Sequence, residues 1–525
     1  MQGEKRKFII SMIVKLSICL AIFGLMIFGF YFNSCDGVWN GTYVMAGDWE
    51  LSLGRWAIRY LDMLHFGVAV HPMGSIVALL LFSIGTYFLS KTFEIEIGSF
   101  TDYLISFIFL GNVIVCVSLS YLYTSRTYGL AFAMACICFW LIARMAQVSE
   151  TFQNKTKIIG YFVLGVLGIA VVLGLYQAYI GCLAELVLFY FVFLVCKGKS
   201  IREIVKYVIT CATTAIAGGV AYYIILHIEL FRYGVTLSSY KGADSFSIMN
   251  IVRNSLSSVV ETYRITLRYF NGVVCRWNMF PNQVVWIVLA LAVCVCVVLS
   301  YQKTKSIIRT LVSVLALCAF PMATNITTIL IPNNEPSIQQ TAPLALIIPC
   351  LIYLCMGLIS IEKDNRRTMK TLFIILAVIS LCMIHGSVYQ SLVDQETMRQ
   401  GTMAAKSFSQ SIVDKLIADG IDPEENTFAF VGSPIYNSMV RANKIYSFSN
   451  GYARICGGYP GNYLDMCTWG GILSNINGVG MRLCDEDIYL KLLEDDEVKT
   501  MPNFPQEGSI INHSSGVWVI RISEW

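Results

Sequence analysis

The segment AGDWELSLGRW, residues 46–56, sets Asp48, Glu50 and Arg55 among two tryptophans, soon after a long apolar run, and Asp36 lies just upstream in SCDGVWNGTY. A carboxylate that takes the proton from a sugar hydroxyl as it attacks an anomeric carbon contributes about 100-fold to 10,000-fold in rate. A water-poor site raises its pKa towards that task. Asp36, Asp48 and Glu50 are therefore candidate bases. Guanidinium groups hold phosphate oxygens by charge-assisted bonds and stabilise a phosphate as it leaves. Arg55 and Arg59 in this stretch, and Arg264 and Arg268 on one helical face of VVETYRITLRYF, are candidates for binding a donor phosphate. Glu185 lies inside an apolar run, where a carboxylate costs at least ~2.5 kcal/mol. It must pair or face a cavity, and with Tyr176 and Gln177 it lines either a sugar pocket or an interhelical hydrogen-bond cluster.

The same residues also fit plainer roles. Asp48 can cap a helix, Glu50 can favour its positive end, and the arginines can form a solvated face. On a helical wheel, DWELSLGRWAIRYLDML places Asp48, Ser52, Arg55, Arg59 and Asp62 on one stripe and Trp49, Leu53, Trp56, Tyr60 and Leu64 on another. This predicts one amphipathic helix lying flat at the outer leaflet rather than spanning it.

The elements that must position these groups follow from composition. The chain has 525 residues, is 56% hydrophobic and only 14% charged, with mean hydropathy +0.63. These values place it in the polytopic membrane class. About eleven runs are long enough to cross a bilayer, near 8–32, 71–90, 103–122, 128–147, 158–176, 178–196, 205–228, 283–301, 307–331, 342–361 and 370–388. The basic, then apolar N-terminus has no small-residue cleavage site and reads as a retained first helix. Lysine and arginine fall in every second loop, which sets the N-terminus inside and leaves 389–525 outside. The fold class is thus mainly α, about eleven transmembrane helices, with residues 1–388 as the membrane domain and 389–525 as a small outer α/β domain.

The net charge of +4 follows from this inside bias and gives no reason to invoke nucleic acid. Two long outer loops, 33–70 and 229–282, can build a site. The second carries Arg232, Lys241, Arg253, Arg264, Arg268 and Arg276, which can be a solvated basic surface or a phosphate site. In the tail, DPEENTFAFVGSP reads as turn then strand and GVWVIRIS as a second strand, while the segment at 450–471 can stack sugars or supply core and turns. Most of the 18 cysteines sit in apolar runs. Cys456, Cys467 and Cys484 allow one disulfide with one thiol left over. No Walker A or Rossmann glycine motif occurs, so the chain is not expected to use ATP or a nucleotide sugar directly. No cofactor is predicted; the scattered histidines argue against structural zinc.

DGVWNGTY, GDWELSLGRW and LGLYQAYIG (173–181), with an outer tail, resemble the Gtr type II glucosyltransferases over roughly residues 1–400. The most specific part is the acid-bearing loop ending in Gly54, Arg55 and Trp56. The resemblance implies a GT-C-like enzyme of the bacterial cytoplasmic membrane. It also implies a polyprenyl-phosphate sugar donor, a surface polysaccharide such as O-antigen as acceptor, and inversion at the anomeric carbon. Many relatives carry two adjacent acids early in the loop, whereas here Asp36 stands alone, well before Asp48 and Glu50. The identity of the base is thus open among the three. The rival readings are a transporter of lipid-linked glycan, which would show paired broken helices and internal symmetry, and a polymerase or ligase using a diphosphate-linked donor. The sequence displays neither transporter feature.

Overall fold

The computed structural model describes residues 2–29, 35–41, 43–148, 154–245, 247–331, 336–360, 366–433, 444–454 and 463–525. The first long helix is α1 (Gln2–Gly29), followed by three short ones, α2 (Cys35–Asn40), α3 (Asp48–Ser52) and α4 (Trp56–Met63). Then come α5 (Met73–Thr92), α6 (Phe100–Leu110), α7 (Val113–Ser120), α8 (Ser125–Gln147) and α9 (Lys155–Leu175). A tight 3-10 turn, Gln177–Tyr179, leads into α10 (Ile180–Cys196) and α11 (Ile201–Tyr233). The second long loop holds α12 (Ile248–Arg253) and α13 (Ser255–Phe270). The bundle is completed by α14 (Asn282–Thr304), α15 (Ile307–Cys318), α16 (Phe320–Thr324), α17 (Ile326–Leu330), α18 (Ala342–Ser360) and α19 (Arg366–Ala418).

Among the described residues, nine of these helices are each long and apolar enough to cross a membrane. Two of the expected runs are broken instead. α6 and α7 meet at 54°, where Asn112 turns back to accept the Ile114 N–H at 3.0 Å and restarts the helix. The run at 307–331 becomes α15, α16 and α17, with Pro321 in the first turn of α16, where its missing N–H is harmless. Broken helices therefore exist where the sequence showed none, so the unbroken look of the sequence is no argument against transport.

Surface ion pairs sort the loops by end. Lys7 meets Glu96 at 2.7 Å and Lys197 meets Glu94 at 2.8 Å, gathering basic residues from two loops at one end of the bundle. The opposite end gathers the long loops: the Trp49 and Tyr240 rings lie 5.4 Å apart, and Lys241 donates to Ser337 at 2.9 Å. Deep in the bundle, Lys15 and Asp102 form a fully buried ion pair at 3.0 Å, which the apolar look of the first run concealed.

α19 extends for 53 residues without proline, so the last apolar run continues as one helix into the tail. A four-stranded sheet packs on its far end in the order β2-β1-β4-β3, with β1 (Thr427–Val431) parallel to β2 (Arg482–Leu483) and β4 (Trp518–Arg521), and β3 (Ile510–Asn512) antiparallel to β4. Phe428, Ala429, Phe430 and Val431 are all buried. An unbroken apolar run is what a strand covered on both faces requires. Helices α20 (Tyr463–Gly471), α21 (Glu486–Glu494) and α22 (Asp496–Thr500) complete this unit, and its core joins Phe408, Ile412 and Leu416 of α19 to Phe430 and Trp469. Trp469 is buried there and Tyr452 in the core of the helical bundle, so both serve packing rather than an open sugar platform. Cys467 and Cys484 are buried free thiols, and Cys456 lies outside the described residues.

Candidate functional site

The expected single amphipathic helix is two. The chain breaks at Leu53–Gly54–Arg55 between α3 and α4, and Gly54 adopts φ +79°, a left-handed conformation that disfavours any side chain. The cause lies far away in sequence. Gln177 Nε2 donates to the Leu53 carbonyl at 2.7 Å, and Tyr222 OH donates to the Gly54 carbonyl at 3.1 Å. A Cβ at Gly54 would collide with the Tyr222 hydroxyl and Gln177 Nε2. Just before Gln177, a Cβ at Gly174 would fall 2.5 Å from the Trp56 ring. The two distinctive motifs, GDWELSLGRW and LGLYQAYIG, are thus halves of one joint.

The break re-aims Arg55. It no longer shares a stripe with Asp48; its guanidinium lies over the Tyr176 ring, 4.6 Å from the centroid, and its buried Nε has no hydrogen-bond partner among the described residues. Asp36 is half-buried nearby on α2. Burial pushes its carboxyl above the ordinary range, the positive charge of Arg55 opposes that rise, and the negative charge of Glu50 adds to it. The Tyr123 hydroxyl feels the same charges, its pKa raised first by burial and then by Asp36 and Glu50, with Arg55 opposing. Asp36, Glu50, Arg55, Tyr123 and Tyr176 therefore form one electrostatic cluster at the end of the bundle that holds the long loops.

Glu50 is anchored: one carboxylate oxygen accepts the Gly47 N–H at 2.8 Å at the positive end of α3, where the cap is Gly47 and not Asp48 as the sequence allowed. The Ala46 peptide beside it is gripped from both sides, its N–H donating to Asp62 at 3.0 Å and its carbonyl accepting from Arg59 Nε at 3.1 Å. Asp62 is 2% exposed. Burial raises its carboxyl to about 6, opposed by the Ala46 N–H and by the Arg126 charge. Asp62 was visible in the sequence only as one member of a polar stripe.

Other expected site residues fall elsewhere. The Asp48 side chain is 75% exposed and pairs with Arg59 at 3.1 Å, while Arg59 covers the Tyr233 ring at 3.9 Å. Asp48 and Arg59 thus hold the loop together rather than facing Arg55. Arg264 pairs with Glu261 at 2.7 Å. Neither Arg264 nor Arg268 is free, and no contact among the described residues joins them to Asp36 or Arg55. Glu185 is fully buried and accepts from Thr324 of α16 at 3.3 Å, so it faces the broken span 307–331 and not the Tyr176 ring.

α2 is held by the C-terminal unit: Asn475 Nδ2 donates to the Val38 carbonyl at 2.9 Å, and a Cβ at Gly471 would meet the same carbonyl. In that unit Asp495, Glu497 and His513 come close enough to gather a cation. The Ser515 N–H, however, donates to His513 Nδ1 at 3.2 Å, which leaves the proton on Nε2, where it points at Asp495, 3.3 Å away. The trio is therefore satisfied as a hydrogen-bonded cap of α22, which Asp495 also caps at the Glu497 N–H.

Helices of membrane-crossing length, with acids and an arginine gathered at one end, define a multi-pass membrane protein with a polar site at the mouth of its bundle. Residues 40–355 match the family Glucosyl transferase GtrII, and the chain belongs to that family. It is therefore a glucosyltransferase of the membrane. The match includes Glu50, Arg55, Tyr123, Tyr176 and Gln177, and it begins four residues after Asp36. No curated protein and no solved structure matches the chain.

Proposed function

We propose that the chain transfers a hexose, glucose by its family, from polyprenyl phosphate to a surface polysaccharide on the outer face of the bacterial cytoplasmic membrane, with inversion at the anomeric carbon. The observation that carries this reading is the cluster at the bundle mouth: a half-buried carboxylate, Asp36, electrostatically coupled to a guanidinium whose buried Nε has no partner among the described residues. Asp36 is the base and Arg55 the phosphate ligand. An acceptor hydroxyl oxygen forms a bond to C1 from the face opposite the phosphate as its proton passes to Asp36. The C1–O bond to the donor breaks, and its electron pair leaves on the phosphate oxygen, where Arg55 meets the growing charge. Tyr176, beneath the Arg55 guanidinium, holds that group in place, and Gln177 fixes the turn that presents it. The outer unit seats α2, and with it Asp36. A water-poor site at a bundle end suits a donor whose anchor stays in lipid while its head group reaches the surface.

Transfer from radiolabelled polyprenyl-phosphate glucose, assayed with purified full-length protein, tests the assignment. Asp36→Asn is expected to lose more than about 100-fold in kcat, and Arg55→Gln to raise KM for the donor. Asp48→Asn, whose side chain is open to solvent, is expected to stay within a few-fold of wild type. Full activity in Asp36→Asn with loss in Glu50→Gln would move the base to Glu50. Full activity in both would sink the site.

A further inference from the structure

Tyr222, Leu226, Glu229 and Tyr233 recur on α11 at intervals of four, three and four, so they share one helical face. That face meets the first long loop. Tyr222 OH donates to the Gly54 carbonyl, Leu226 and Leu230 pack on Leu51 of α3, and the Tyr233 ring lies under the Arg59 guanidinium. Among these packing contacts stands a carboxylate: Glu229 is only 7% exposed. Its Oε1 accepts from Tyr60 OH of α4 at 2.8 Å and lies 4.0 Å from Arg232 Nη1. Its Oε2 has no hydrogen bond from any described residue. A buried acid served on one oxygen alone carries a cost that its surroundings must explain.

A cleft between the α3–α4 joint and the C-terminal end of α11 is lined by Glu50, Arg55, Trp56, Arg59 and Glu229. Its two guanidiniums and two carboxylates balance in charge. Arg59 gives Nε to the Ala46 carbonyl and Nη2 to Asp48, which leaves its buried Nη1 without a partner among the described residues, as Arg55 Nε is. The cleft thus gathers spare donors and a spare acceptor beside an indole ring. A phosphate alone would meet two acids here, and a cation alone two arginines. A polyol matches both, because each hydroxyl donates and accepts, and the indole offers an apolar face to ring carbons.

From this cleft, in which α11 sets one buried carboxylate against the charged and aromatic side chains of the first long loop, we infer that the hexose ring of the donor binds here and that Glu229 is its specificity-determining residue, accepting a ring hydroxyl. As it stands the cleft is too narrow to hold a water molecule, and the Tyr60–Glu229 hydrogen bond ties α4 to α11 across it. Sugar entry parts the two helices and exchanges the phenol hydroxyl on Glu229 for a sugar hydroxyl. A hexose lacking that hydroxyl breaks the first bond without replacing it, which is the condition for strong discrimination. The inference rests on the donor proposed above and deepens it: Arg55 borders the cleft and meets the phosphate, and that phosphate is bonded to C1 of the ring.

The test uses purified full-length protein in nanodiscs, with undecaprenyl-phosphate glucose and its 2-, 3-, 4- and 6-deoxy counterparts as donors, read as kcat/KM for each. Wild type is expected to lose roughly 10-fold to 100-fold on one of the four deoxy donors, the loss that follows a missing hydrogen bond to a charged group. Glu229→Ala is expected to lose a similar factor on glucose itself and nothing further on that deoxy donor, while the other three rank as they do with wild type. Glu229→Asp should recover part of the discrimination. Tyr60→Phe, which removes the same hydrogen bond but leaves the carboxylate, should discriminate as wild type does. Wild-type discrimination retained in Glu229→Ala, whether or not its rate or melting temperature falls, would overturn this inference; loss of transfer in Asp36→Asn would still leave the proposed function standing. Wild type equally active on all five donors, or a Tyr60→Phe variant that reproduces the Glu229→Ala pattern, would overturn it too. No transfer by wild type from any of the five would overturn both.

Discussion

Burial and Arg55 act on Asp36 in opposite senses, and this gives the site a pH signature. Burial raises the Asp36 carboxyl, and Arg55 restrains the rise. A base works only when deprotonated, so kcat is expected to fall as pH drops through that raised pKa, on a limb lying above the range of an exposed aspartate. Arg55→Gln removes the restraint and should move the limb to still higher pH; a limb that stays put, or moves down, would exclude Asp36 as the titrating base. At this scale the sequence was partly legible. The acids, arginine and aromatic residues of 36–60 stood out because charge is costly beside a membrane. Which of them meet did not, because Asp48 and Arg55 share a helical stripe only if the helix is continuous. Glu229 could not be singled out at all: nothing in its own neighbours shows that the end of α11 meets α3 and α4.

At the scale of elements, the site depends on one interruption. Helical periodicity runs unbroken through DWELSLGRWAIRYLDML, so local sequence predicts one helix, and the interruption is imposed by Gln177 and Tyr222 capturing two carbonyls. Tertiary contacts override propensity here. Gly54→Ala would need a positive φ and the space already filled by the Tyr222 hydroxyl. It is expected to cost about 1–3 kcal/mol of stability and to lower transfer at least 10-fold, read as melting temperature and turnover in detergent. Gln177→Ala, which leaves Gly54 unstrained, should lower transfer with a smaller change in melting temperature. Equal wild-type turnover in both variants would mean the joint does not position Arg55. The spans themselves were easy to read, since a bilayer demands about 20 apolar residues per helix. The two breaks were not, because an asparagine cap and a proline inside apolar runs scarcely alter hydropathy.

At the scale of the whole molecule, the sequence showed both the membrane bundle and a small α/β unit after it, but not that a single helix serves both. α19 carries Asp394, whose carboxylate accepts from Asn450, Tyr452 and Gln390. Asn450 in turn exchanges hydrogen bonds with the Arg276 backbone in the second loop. Further along, Phe408, Ile412 and Leu416 grip the sheet. At about 1.5 Å per residue this rod is about 80 Å long. Both sets of contacts are therefore keyed to the same angular phase, like two cogs on one axle. Adding one alanine after Thr402 would twist the upper cog by about 100° relative to the lower. Transfer is expected to collapse although insertion and expression survive. Turnover that ignores the added residue would mean that the sheet and the bundle mouth turn independently.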